Sequence, residues 1–274
     1  MLEGWKYYNH ALLPETPPHK NPDIQQLRKR GKWDKGVLFA RYTTEFDCGY
    51  ETEWWYLIKD NEIDLSKLKS KRRYEITKGL KNCDVKKISP RVYAKEIYEV
   101  YNNAFENYKN AGQSIEKEKF ISSCEGHETT QEIEYWGAFD KETQKLVGYA
   151  LNHVYEEYVN FTTMKFDPQY LSKAISAALV YTMIVEYLNV KNKKYINDGE
   201  RSIRHDTNFQ DYLVKYFEFR KAYCKLNVEY KNLVKLVVNI LYPFRAHIQR
   251  FPENSITHNI NSLLQQESIR RSFN

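Results

Sequence analysis

The stretch from Val159 to Tyr187 constrains the fold more than any other part of this chain. A β-branched and aromatic run, Val-Asn-Phe-Thr-Thr-Met-Lys-Phe, passes through Asp167-Pro168 into a segment that carries Leu171, Ala174, Ile175, Ala178, Leu179, Thr182 and Met183 at helical spacing. That spacing predicts a helix with one apolar stripe against a core. Asp167 suits the cap of such a helix and Pro168 its first turn. A strand that turns directly into a helix aims the helix's free N–H groups into the crevice beyond the strand, the usual way a fold holds an anionic group.

The rest of the composition narrows what that crevice serves. Only 10 of 274 residues are glycine, which disfavours glycine-loop nucleotide-binding architectures. Aromatic residues make up 15%, with 23 tyrosines, so a core of amphipathic rings is expected. No apolar run approaches the ~18–20 residues of a membrane span, and Met-Leu-Glu-Gly-Trp-Lys-Tyr-Tyr lacks the pattern of a signal peptide. Cys48, Cys83, Cys124 and Cys224 are scattered without a CxxC pair, which argues against a zinc site or a disulfide framework and fits a reducing cytoplasm. The net charge of +6 is unevenly placed. Between Leu65 and Lys87, positions 67, 69, 71, 72, 73, 78, 81, 86 and 87 are Lys or Arg, nine in all, against Glu75 and Asp84. Such an excess invites a phosphate-bearing partner such as RNA, or else forms a solvated helix face.

Along the chain, a proline-rich start and a basic piece from Ile24 to Lys32 read as an arm or lid. Val37–Tyr42 and Glu53–Lys59 read as strands joined as a hairpin around Asp47-Cys48-Gly49, and Ser66–Gly79 as a basic helix closed by its glycine. A strand at Asp84–Ile88, helices from Pro90 and at Ile115–Cys124, and a meander of three strands ending at Phe166 follow. After the long helix come a strand at Tyr195–Asn197, a helix at Asn208–Phe217, a strand at Cys224–Tyr230 and an apolar helix at Leu233–Leu241, with a polar, partly disordered remainder expected. Strands and helices interleave without strict alternation, which predicts an α/β fold: a mixed, mainly antiparallel central sheet flanked by helices on both faces.

That order resembles the GNAT acyltransferase fold. The family's fourth strand runs into a helix through D-P-x-x-R-G-x-G-x-G-x-x-L, which here reads Asp167-Pro168-Gln169-Tyr170-Leu171-Ser172-Lys173-Ala174-Ile175-Ser176-Ala177-Ala178-Leu179. The resemblance implies a coenzyme A cradle at Leu171, Ser172, Lys173, Ala174, Ile175 and Ser176. Leu171 replaces the arginine, and Ser172, Ala174 and Ser176 replace the glycines, so a β-carbon at each site obstructs close approach of a diphosphate. Acyl-coenzyme A in the usual mode is therefore not the expected donor. A later motif ending in Gly-Phe-Arg-Lys appears as Glu218-Phe219-Arg220-Lys221. The tyrosine four residues before that glycine falls on Val214, with Tyr212 and Tyr216 out of register.

A narrower resemblance is to FemABX-type aminoacyltransferases, which build on GNAT modules without coenzyme A. Their basic helix K-x-R-x-x-I-x-K-x-x-K-x-x-V is matched by Lys71, Arg73, Ile76, Lys78 and Lys81, ahead of a strand that begins at Asp84. It implies aminoacyl-tRNA as donor, with Lys71, Arg72, Arg73 and Lys78 meeting its phosphates. Those enzymes carry two modules and this chain one. The resemblance divides the chain into residues 1–53 (arm and start of the hairpin), 54–230 (the GNAT-like domain) and 231–274 (helix and tail).

Acyl transfer to an amine needs a base and donors for the developing oxyanion. Glu157, between two strands of the meander, and Tyr216 are the catalytic candidates by position within the resembled fold. Asp198, Arg204 and His205 follow a central strand and are the acceptor-side candidates. His153 is either a base or a hydrogen-bonded structural histidine, and the cysteines in apolar runs read as core. No metal site is expected. Two functions follow: an acyl or aminoacyl transferase acting on an amine, such as a cell-envelope or polysaccharide precursor, or a binding or scaffold protein that keeps the fold without turnover.

Overall fold

The computed structural model describes residues 2–28, 33–107, 114–203, 208–252 and 254–273. In chain order its strands and helices are β1 Trp5–Tyr8, β2 Ala11–Pro14, β3 Phe39–Thr44, β4 Trp54–Lys59, α1 Ser70–Asn82, β5 Cys83–Ile88, α2 Ala94–Glu106, α3 Lys117–Gly126, β6 Ile133–Asp140, β7 Leu146–Val154, β8 Tyr158–Phe166, α4 Ile175–Ile184, β9 Tyr195–Glu200, α5 Asn208–Phe217, β10 Arg220–Tyr230, α6 Asn232–Leu241, α7 Arg245–Ile248 and α8 Ser255–Arg271. The chain forms two compact units, one of Met1–Leu57, Glu200–Thr207 and Lys221–Asn274, the other of Ile58–Gly199 and Asn208–Arg220.

The second unit carries the candidate site. Its strands run in the order β9-β8-β7-β6-β5. All pairs are antiparallel except β8 with β9, which is parallel. Neighbouring residues on a strand face opposite sides, and β6 shows the consequence. Tyr135 packs into a core with Ile97, Val100 and Tyr101 of α2 and Cys124 of α3. Trp136 turns the other way and donates its indole N–H to the Tyr187 hydroxyl at 2.7 Å. Helices α2 and α3 thus cover one face, and α1 and α4 the other. In α4, Ile175, Leu179, Val180, Met183 and Ile184 are fully buried, each worth about 1.5–3 kcal/mol of transfer free energy.

The turn into α4 differs from the helix expected there. Asp167 does cap, accepting from Gln169 N at 3.0 Å, but what it caps is a tight 3₁₀ turn over Pro168–Lys173. Ala174 then takes a left-handed conformation with φ 59°, and the α-helix begins only at Ile175. Leu171, expected on the core stripe, is exposed. Gly79 accounts for the geometry. It does not close α1, which continues to Asn82. It sits where a Cβ would lie 2.4 Å from the Ala174 carbonyl oxygen and 2.9 Å from Ala178 N, so α1 crosses α4 backbone to backbone. The last turns of this helical stretch, Val185–Val190, widen to a π-helix that brings Tyr187 under the sheet.

In the first unit the strands run β1-β2-β3-β10-β4. Strands β3 and β4 form where expected, yet they are not a hairpin, because β10 lies between them. Its Leu226 pairs with Thr43, and Cys224 accepts a hydrogen bond from Thr52 just before β4. The proline-rich start forms a hairpin of its own, β1–β2, with β2 parallel to β3. The end of the chain, expected to be partly disordered, is the helix α8. Asn254 and Thr257 close it with a reciprocal capping box. Its buried Glu267 accepts from Arg270, Arg271 and Tyr230.

Candidate active site

Strands β8 and β9 stay paired for only three residues: Tyr158 with Tyr195, Val159 with Ile196, and Asn160 with Asn197. Beyond that pair they part. A side-chain bond, Asn197 Nδ2 to Asn160 Oδ1 at 2.8 Å, closes the last shared rung. A bulge in the β7–β8 ladder adds Thr162 just past it, where Asn152 pairs with Phe161 and Leu151 with Thr163. Bulges re-aim the side chains that follow them. Thr162 hydrogen-bonds the ring of His153 at 2.9 Å, so this histidine supports the bulge.

Asp198 is the first residue of β9 beyond the shared rung. It is half-buried, and loss of water pushes its carboxyl up to about 7. Helix α5 crosses above it. Gln210 donates to the Asp198 carbonyl at 3.4 Å. Tyr212 meets Ser176 at the start of α4, oxygen to oxygen 3.2 Å, and burial pushes its hydroxyl up to about 12. The Tyr216 ring packs against that of Tyr212 at 5.0 Å. Just past α5, Glu218 takes a left-handed conformation with φ 61° and pairs with Arg72 of α1 at 3.0 Å. Helix α5 and the residue after it thereby connect to Asp198 through Gln210, to Ser176 through Tyr212 and to Arg72 through Glu218. Gln210 and Tyr212 carry no motif. Their role rests on the helical spacing of α5 relative to β9, which is not legible in one sequence.

Other expected site residues lie elsewhere. Glu157 precedes the first rung of the parallel pair, four residues or roughly 13 Å of strand away from Asp198. Its carboxylate is held by Lys194. Leu171 and Ser172 are exposed on the 3₁₀ turn. On α1, Lys71 is exposed, Lys78 half-buried, and Arg73 donates to the Ser66 carbonyl at 3.2 Å. Arg204 and His205 lie outside the described residues. Lys59, which the strand pattern gave no reason to single out, is fully buried. It bonds Asn61 at 2.8 Å, and loss of water lowers its ammonium pKa against the opposing influence of Glu218 and Asp60. Burial also raises the thiols, that of Cys83 to about 11, so Cys83 and Cys124 stay protonated as core residues.

Does the turn after β8 fit coenzyme A? It does not. Ala174 is buried with its side chain in place, and its carbonyl already accepts from Ala177 and Ala178 at 3.1 and 3.3 Å. Gly79 of α1 occupies the adjoining side. The turn's one cation, Lys173, is committed to buried Asp140 at 2.6 Å and to Glu142 at 3.1 Å. A diphosphate meets β-carbons and a neutralised lysine here.

By sequence, no family model and no curated protein matches the chain. Solved structures do. L-PGS from Bacillus licheniformis superposes with a TM-score of 0.51 at 12% identity, over 86% of this chain and 83% of that one. FemX superposes at 0.52 and 10% identity, over 67% of this chain, which spans 63% of FemX. The C-terminal domain of an Agrobacterium fabrum protein assigned as a lysylphosphatidylglycerol synthetase gives 0.50 at 11% identity, over 86% and 84%. The fold is GNAT-like. More narrowly, it resembles FemX and the lysylphosphatidylglycerol synthetase domain, as the basic helix and the strand-turn-helix frame lead one to expect. At these identities the likeness is one of fold.

Proposed function

We propose that this GNAT-like chain transfers an aminoacyl group from aminoacyl-tRNA to the amine of an acceptor, such as a cell-envelope or polysaccharide precursor. The observation that carries the reading is the Asp198 carboxyl, held near neutrality where β8 and β9 part. An ammonium acceptor must lose a proton before it attacks, and a base poised near the working pH takes that proton most effectively. The amine nitrogen then bonds to the ester carbonyl carbon while the bond to the tRNA's terminal ribose oxygen breaks. The departing alkoxide takes a proton from the Tyr212–Tyr216 pair, of which Tyr212 stays protonated at neutral pH. The basic helix α1 supports a nucleic-acid donor over a thioester, and the filled turn after β8 speaks against coenzyme A. The neighbours' printed names, FemX, L-PGS and lysylphosphatidylglycerol synthetase, fit this class of reaction without fixing the acceptor.

A second reading, a binding protein that keeps the fold, draws on the same filled turn and predicts binding without turnover. Transfer of a labelled amino acid from tRNA to a panel of amine acceptors separates the two. Turnover that falls on the order of 10²–10⁴-fold in Asp198→Asn supports the transferase; undiminished turnover in that variant removes Asp198 from the mechanism.

A further inference from the structure

Helix α6 is apolar on two sides, and only one is covered. Val238 is buried, and Asn239 and Tyr242 anchor the helix to Arg271 of α8, by a hydrogen bond at 3.2 Å and by a cation over the ring at 3.9 Å. Leu233, Leu236, Val237 and Ile240 form the opposite stripe at spacings of three, four and seven, and Phe244 extends it by one more turn. All are exposed, Leu233 at 79%. Phe251 follows at 62% exposure. A helix with an apolar face of this width ordinarily buries it. The charges along α6 and α7 are of one sign: from Lys231 to Phe251 the sequence has Lys231, Lys235, Arg245 and Arg250, with His247 and no Asp or Glu. Lys231 donates to the Asp34 carbonyl at 2.8 Å and Arg245 stacks on the Tyr242 ring at 4.3 Å, which leaves Lys235 and Arg250 as the exposed cations.

We propose that this face docks on an anionic lipid bilayer, with α6 lying in the interfacial plane. An apolar stripe about 15 Å long, on a helix whose charged residues are all cationic and lie on its polar side, is the pattern of an interfacial helix. Among the described residues no helix is long and apolar enough to cross a membrane; the attachment proposed is through α6 in the interfacial plane. A second copy of the chain is a poorer occupant. The six exposed side chains fall short of the ~800 Å² per partner of a stable interface. The inference rests on the first unit alone and stands or falls independently of Asp198.

The test is co-sedimentation of the full chain with vesicles of phosphatidylglycerol and phosphatidylcholine against pure phosphatidylcholine, with sedimentation velocity run alongside. Binding to the anionic vesicles is expected, weakened by salt. It should fall at least tenfold in Leu236→Glu/Ile240→Glu and several-fold in Lys235→Glu/Arg250→Glu. These positions are exposed, so an unchanged melting temperature confirms that each variant folds. No binding to anionic vesicles at low salt overturns the proposal. A dimer that Leu236→Glu/Ile240→Glu dissociates, with vesicle binding unaffected, overturns it in favour of a second copy.

Discussion

Asp198 gives the residue-scale account its sharpest consequence. An aspartate with an ordinary value of 3.8 in the unfolded chain and about 7 in the folded one binds more protons when folded between those two pH values. Stability therefore falls as pH rises from about 4 to about 7 and stays reduced above it. Allowing for partial exposure, the loss is on the order of 1–2 kcal/mol. Urea unfolding at pH 5 and pH 8 should show the drop in the native chain and a smaller one in Asp198→Asn, which should be the more stable protein at pH 8. The same carboxyl should give the rate an acid limb near pH 7, because the base must be ionised. Asp198 is visible in the sequence as a polar residue after a central strand; its partial burial is not, since that depends on α5 crossing above it. Ala174 departs from expectation for the same kind of reason. Nothing in an alanine announces a left-handed backbone, which Gly or Asn would signal. Glu157 looks suited to catalysis from its place between strands, but only the strand register shows that it sits at the other end of the parallel pair.

At the scale of elements, the crossing of α1 and α4 holds the site's floor. Gly79→Ala places a methyl 2.4 Å from a backbone oxygen, which no rotamer change relieves. The expected cost is about 3 kcal/mol, read as a fall in the urea midpoint at unchanged slope. In the sequence Gly79 looks like a helix stop, because its ability to end helices and its ability to let helices touch come from the same missing side chain. The basic face of α1 is legible; how its charges are used is not. Arg72 is committed to Glu218, which leaves Lys71 and Arg73 the better probes of a phosphate partner. Lys71→Glu with Arg73→Glu should weaken tRNA binding and reduce the slope of log Kd against log salt by about one for each phosphate no longer neutralised. An unchanged slope would make this a solvated face.

For the molecule as a whole, the alternation of strands and helices is enough to read a mixed sheet covered on both faces, because periodicity records which residues must be buried. It is not enough to place β10 between β3 and β4, a non-local pairing with no local signature, or to recognise α8, whose buried Glu267 pairs with neighbouring arginines instead of contributing to an apolar stripe. On the proposed function, this GNAT-like fold has closed its diphosphate turn and takes its donor from nucleic acid. Melting temperature measured against acetyl-coenzyme A and, separately, against aminoacyl-tRNA tests it most directly. A ligand at a hundred times its Kd adds about 2.7 kcal/mol to the folded state, a shift of several degrees. That shift is expected with aminoacyl-tRNA and none with millimolar acetyl-coenzyme A; a rise with acetyl-coenzyme A and none with aminoacyl-tRNA rules out a nucleic-acid donor.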